Sequence, residues 1–281
     1  MATLYRISIV SMVLVAALGA TVVTAAAFDD AMYPEWKGLW ERTERSTNWD
    51  PSKPAGLGQQ APLIPEYQAK LEATIADQKA GGQGIDPTFS CLPAGVPRVM
   101  ALREAMQIVI NPEMTHLLME HHMMLRHVHT DGREWPERIT PTFTGYSIGK
   151  WVDTDGDGRD DMLEIETRSF KGPRVYEASG IALHKDNQSI IKERIYLDKN
   201  DRNVMHNEIT SIDNALTRPW TVFRTYHRDR NAKWLDYTCG EENRHVLINK
   251  EYYMLSGDRL LMPTRKDQPP PDLRYFDRPQ P

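Results

Sequence analysis

The sequence is poor in the signatures that name a reaction. It holds no nucleophile motif, no nucleotide fingerprint, no zinc-finger spacing and no flavin or haem motif, so no chemistry can be read from a motif. Cysteine is scarce: Cys91 and Cys239 are the only two in 281 residues, and they are far apart, not three apart as in a redox pair. Basic charge is also lacking. Thirty-four Lys and Arg stand against 39 Asp and Glu, a formal charge of −5, so there is no general basic surface for nucleic acid. Beyond residue 27 there is no long apolar run, and no internal repeat interrupts the chain.

What is present begins with an address. Arg6 precedes an apolar run from Ile7 to Val23, and Ala25, Ala26 and Ala27 end it, so residues 1–27 read as a cleaved secretory signal peptide. The alternative is a retained anchor, since the run is only slightly shorter than the roughly 18 to 20 apolar residues that span a bilayer. Cleavage removes Arg6, takes the charge from −5 to −6 and leaves a periplasmic or secreted chain with no stable membrane insertion. In that oxidising setting Cys91 and Cys239 are expected to form one disulfide, with two buried thiols as the alternative.

Four segments follow from composition. After the signal peptide, residues 28–96 read as an aromatic, Pro- and Gly-punctuated arm. It contains one short helix over 65–80, with Tyr67, Leu71 and Ile75 on a stripe, Pro65 in the first turn and Gly81 at the end. Residues 97–262 alternate with period two. Strands are expected near 98–102, 106–110, 114–120, 123–129, 143–152, 161–168, 188–198, 203–213, 219–227, 234–238 and 245–255, separated by turn chemistry such as Asn111-Pro112 and Asp131-Gly132. The fold class is therefore mainly β: an antiparallel barrel, lipocalin-like in general architecture, in preference to a sandwich. Residues 263–281 carry six prolines and read as an extended tail resting through Leu273, Tyr275 and Phe276, or mobile.

Strand alternation also nominates chemistry. Glu193 shares a face with Ile191, Ile195 and Leu197, where a carboxylate is either paired with an arginine of a neighbouring strand or becomes a usable acid or base. His206 and Glu208 share a face of the next strand, and His184 stands beside the long loop 170–188; the four form the acid–base set of an enzyme reading. Arg133 and Arg194 are candidates to bind negative charge, and Trp151 and Trp220 to line a ligand cavity. His121, His122, His127 and His129 cluster, yet a metal centre would need ligands from another strand. Gly145, Ser147 and Gly149 leave one strand face open to close approach, by packing or by a ligand.

The strongest metal pattern is Asp153, Asp155, Asp157 and Glu164, at the first, third, fifth and twelfth places of a loop with Gly158 sixth. That is the spacing of a calcium loop, here between strand-like flanks, so a structural calcium in a hairpin is expected. Solvent alone is the alternative means of relieving the crowded carboxylates.

Cys91 to Arg98, Thr130 to Arg133, Pro141-Thr142-Phe143-Thr144-Gly145-Tyr146-Ser147-Ile148-Gly149-Lys150-Trp151, Glu193-Arg194, Thr217 to Thr221 and Tyr237 to Asn243 together resemble a group of largely uncharacterised secreted bacterial β-rich proteins. The Pro-Thr-x-x-Gly-x-Ser-Ile-Gly-x-Trp segment is the most specific part. The resemblance implies a secreted, strand-rich, single-domain protein and carries no catalytic residues. Three functions are then open: binding of a small apolar or aromatic molecule inside the barrel, isomerase, lyase or hydrolase chemistry in the same cavity, or a calcium-stabilised envelope protein acting through its surface.

Overall fold

The computed structural model describes residues 29–44, 47–231, 233–235, 238–239, 244–249 and 251–271. Both the signal segment 1–27 and the tail residues Leu273, Tyr275 and Phe276 lie outside them. Nine strands close a mixed barrel in sequence order: β1 (Leu39–Arg42), β2 (Met106–Ile110), β3 (Met114–Met119), β4 (Met124–His129), β5 (Tyr146–Val152), β6 (Met162–Arg168), β7 (Ile190–Leu197), β8 (Val204–Ile212) and β9 (Trp220–Asp229). Neighbours are antiparallel except β4 and β5, which pair in parallel with Val128 opposite Ser147. The expected all-antiparallel order fails there because residues 130–145 cross back to the same end of the barrel before β5 starts, as a parallel pair requires.

The ring is closed by a strand from the presumed arm. β1 pairs with β9 along its whole length, Leu39 opposite Asp229 and Arg42 opposite Tyr226, and with β2 at Leu39 and Trp40. Inward positions follow the pleat. Ile191, Glu193 and Ile195 of β7, Met205, Asn207 and Ile209 of β8, and Val222, Arg224 and Tyr226 of β9 are all buried. Gly149 is packing space rather than a ligand approach: a Cβ there would meet Val128 at 2.5 Å.

Residues 98–102 are not a strand. Arg98–Ala101 form a 3-10 turn whose Val99, Met100 and Ala101 are buried in the core cluster. Its carbonyls are spoken for, since the Tyr226 hydroxyl donates to Met100 O at 2.6 Å and Arg42 donates to Ala101 O at 2.6 Å. Aromatic clusters fill the two ends. Near the end of β5, Trp151 packs on Trp36 and Tyr33; near the start of β9, Trp220 packs on Trp49 and Tyr176. The helix α1 (Pro65–Lys79) matches its expected bounds and buries Tyr67, Leu71 and Thr74.

The last strands do not join the barrel. β10 (His245–Ile248), β11 (Glu251–Leu255) and β12 (Leu261–Pro263) make a separate three-stranded sheet, so the run expected as one strand over 245–255 is two, broken at the positive-φ Asn249. Residues 233–235 are not in a strand, and 236–237 lie outside the described residues. No helix of the described residues is long and apolar enough to cross a membrane.

Cys91 and Cys239 are joined in a disulfide spanning 148 residues of sequence. A bridge closing so long a loop removes much unfolded-state entropy, so its reduction is expected to cost about 3–5 kcal/mol. Thermal unfolding with and without reductant reads this directly; coincident melting curves would contradict it.

Candidate functional site

The barrel centre is polar, and its charged pair is enclosed in a hydrogen-bond network. Glu193, 1 % exposed, is bound through Oε2 by the Arg126 guanidinium and through Oε1 by the Asn207 side-chain amide at 3.0 Å. Arg126 extends this network to the Thr167 hydroxyl at 2.7 Å and the Ser147 hydroxyl at 3.2 Å, which bond each other at 2.9 Å. The partner is not on a neighbouring strand. Arg126 lies on β4 and reaches across the interior to β7, past β5 and β6. With both oxygens taken and no exposed edge, this carboxylate is a structural counter-charge rather than a reachable base.

The remaining acid–base candidates are not brought together. His206 faces outward and pairs with Asp198 at 3.1 Å, while Glu208 faces Arg194 at 3.7 Å. His184 stacks on Tyr67 with ring centroids 5.3 Å apart and meets Asp186 at 2.8 Å. Arg133 is folded back on Asp131, and that contact holds the Asp131 carboxyl at about 2. Trp220 is buried in the aromatic plug, and Trp151 is anchored by its indole N–H to Thr115 Oγ1 at 3.2 Å.

In the acidic loop, Asp153 accepts the amides of Gly156 at 2.7 Å and Gly158 at 2.9 Å, and Asp157 accepts that of Arg159 at 2.9 Å. The Gly158 amide leads the interactions that lower the Asp153 carboxyl below its usual range. Ligand atoms of Asp153, Asp155 and Asp157 lie within 4.8 Å of one another, a set able to take a hard cation. Glu164 is not part of that set. The pleat of β6 turns it outward to Arg194 at 3.6 Å, so the twelfth ligand of the sequence pattern is lost to strand geometry.

Open space lies at the rim. A cleft of about 680 Å³ is lined by Tyr33, Trp36, Ile108, Ile110, Arg159 and Arg202, among others. A second, of about 670 Å³, shares Tyr33, Pro34, Arg159 and Arg202 with it and adds Arg194, Lys199 and the acidic loop. The segment between the clefts is pinned in place: Arg159 Nε donates to Ala31 O at 2.8 Å, the Asp160 amide donates to Met32 O at 2.8 Å, and Arg228 binds the Glu35 carboxylate. Burial, then the Asp160 charge, raises the Tyr33 phenol above its ordinary pKa. The sequence reading missed Tyr33, Ile108, Arg159 and Arg202 because they come from four separate stretches with no spacing in common. Only the aromatic density around Tyr33 and Trp36 pointed there. No protein-family model matches the chain, and no curated protein sequence matches it.

Removing one partner of the interior pair tests its role. Glu193→Ala leaves a buried guanidinium unpaired and is expected to cost about 3–5 kcal/mol in urea unfolding, whereas Glu193→Leu with Arg126→Met recovers most of it. A single-variant cost as small as the roughly 0–1 kcal/mol of a surface pair would remove the argument. A pH effect belongs to Asp186. Its partial desolvation is outweighed by the Gln188 amide, the Asn214 side-chain amide and His184, which hold its carboxyl at about 2. A depressed folded-state pKa gives stability that is present above the unfolded value near 4 and lost as pH falls towards 2. Asp186→Asn is thus expected to flatten the pH dependence of the melting temperature between about pH 4 and 2; an unchanged slope would refute it.

Proposed function

We propose that the protein is a non-catalytic binder of a small apolar or aromatic molecule carrying a negative charge, held in the rim cleft rather than in the barrel interior. The cleft carries the reading. It sets Tyr33, Trp36, Ile108 and Ile110 beside the exposed guanidinium of Arg202 and that of Arg159, an apolar surface with cations at its edge. The rim is preferred to the interior because the central charges are already engaged, Glu193 by Arg126 and Asn207, and Arg126 also by Thr167 and Ser147. Binding is preferred to catalysis because the acid–base set Glu193, His206, Glu208 and His184 occupies separate places with separate partners.

The same proposal includes a periplasmic or secreted location after signal cleavage, for which the disulfide is the supporting observation. It also includes a structural calcium at Asp153, Asp155 and Asp157, which line or border the second cleft and precede Arg159 and Asp160, the residues that hold the segment carrying Tyr33. The likeness to secreted β-rich bacterial proteins through Pro141 to Trp151 fits this assignment.

Native mass spectrometry of the mature protein, with and without chelator, is expected to show a retained anionic organic molecule and chelator-sensitive calcium. Anilinonaphthalene sulfonate, an anionic aromatic probe, is expected to bind with an affinity about thirtyfold lower in Arg159→Ala/Arg202→Ala, the loss of two charge-assisted contacts of roughly 1 kcal/mol each. Equal affinity in parent and double variant would defeat the cleft assignment.

A further inference from the structure

The outer face of β3 and β4 carries side chains that the rim cleft does not use. The register sets Met114 opposite His129 and His116 opposite His127, and the pleat turns all four away from the interior while Thr115, Leu117, Arg126 and Val128 point in. The His116 and His127 rings meet edge to face with centroids 5.0 Å apart. His127 Nδ1 lies 3.0 Å from Met114 Sδ. A cavity of about 490 Å³ opens beside these three residues, bounded also by Asn111, Pro112 and Glu113.

The spacing has a chemical reading. Two imidazoles bound to one tetrahedral ion at about 2.0 Å place their ring centres about 5 Å apart, which is the separation of the His116 and His127 rings. Among the described residues no hydrogen bond occupies the ring nitrogens of His116, which leaves both free to coordinate. The donor set selects the ion: thioether sulfur is a poor ligand for calcium, magnesium or zinc, whereas imidazole with thioether suits the soft cuprous ion. No thiolate competes, because both cysteines are in the disulfide. The hard-cation loop at Asp153 offers oxygen ligands only, so the two sites would sort different ions.

We propose that Met114, His116 and His127 form a binding site for one Cu(I) ion on the outer wall of the barrel, with the remaining coordination position open to the adjoining cavity. The histidine cluster of the sequence thereby acquires the ligands from another strand that it needed: β3 supplies His116 and Met114 against His127 of β4. His121 takes no part, being engaged with Glu104.

The test is an anaerobic titration of the mature, disulfide-intact protein with Cu(I) against the chromogenic chelator bicinchoninate. One equivalent is expected to be withheld from the chelator, and X-ray absorption of the loaded protein is expected to show one sulfur ligand at about 2.3 Å. His116→Gln and His127→Gln are each expected to weaken Cu(I) binding by roughly tenfold or more. Met114→Leu should weaken Cu(I) similarly while shifting Zn(II) affinity by less than about threefold. All three positions face outward, so melting curves close to the parent's are expected to accompany these losses. A chelator that strips all copper from the parent overturns the site, as does undiminished affinity in both histidine variants. A spectrum without sulfur, or full Cu(I) affinity in Met114→Leu, overturns the cuprous assignment.

Discussion

The ion pair between Arg126 and Glu193 is the constraint on which the rest of the barrel depends. It is placed across the interior, from β4 to β7, with both side chains fully buried. Burying two charges costs several kcal/mol each, and the pair holds only because Asn207, Thr167 and Ser147 take up its remaining hydrogen-bonding capacity. Those five residues sit on β4, β5, β6, β7 and β8. A slip of one residue in any of these strands would turn its member outward and leave the others unmatched, so the network specifies register over more than half the ring.

A barrel organised in this way has its central charges committed to one another, and the described clefts lie at its edge. The N-terminal segment shows how one stretch can serve two ends. Trp36 and Trp40 are buried in the core, β1 completes the ring, and the residues before it, tied down by Arg228 and Arg159, form the wall of the rim cleft. Arg224 illustrates the cost of such dense use of space. Its guanidinium is buried, donates to the carbonyls of Asn48 and Trp49, and is pushed down to about 10 by burial, which outweighs the nearby charges of Glu44 and Asp50.

Much of the architecture was legible because local signals agreed with it. Period-two alternation located β2 to β9, turn residues separated them, and the Tyr67 and Leu71 spacing located α1. β1 escaped because four residues, Leu39 to Arg42, carry too short a pattern amid glycine and tryptophan. Residues 98–102 misled for the converse reason: an apolar run buried by the core looks the same whether it is strand or 3-10 turn. Glu193 was visible as a charge on an apolar face, but its partner was not, since pairing across a barrel depends on closure and leaves no mark on sequence distance. Of the acidic loop, the spacing foretold the convergence of Asp153, Asp155 and Asp157 but not the place of Glu164, because a pattern written for a helix says nothing of where a strand turns that residue.

The pairing of β1 with β9 has a consequence for how the chain reaches this state. Thr43 bonds to Thr225 across 182 positions of sequence, so the ring cannot be completed until nearly the whole barrel is available. Closure is therefore a late, long-range event in folding, of the kind that slows a chain and exposes strand edges while it waits. A protein that crosses a membrane as an extended thread, N-terminal end first, would emerge with its closing strand waiting for the last stave of the barrel. In such a protein the delay would keep the chain open during passage and confine assembly to the far side.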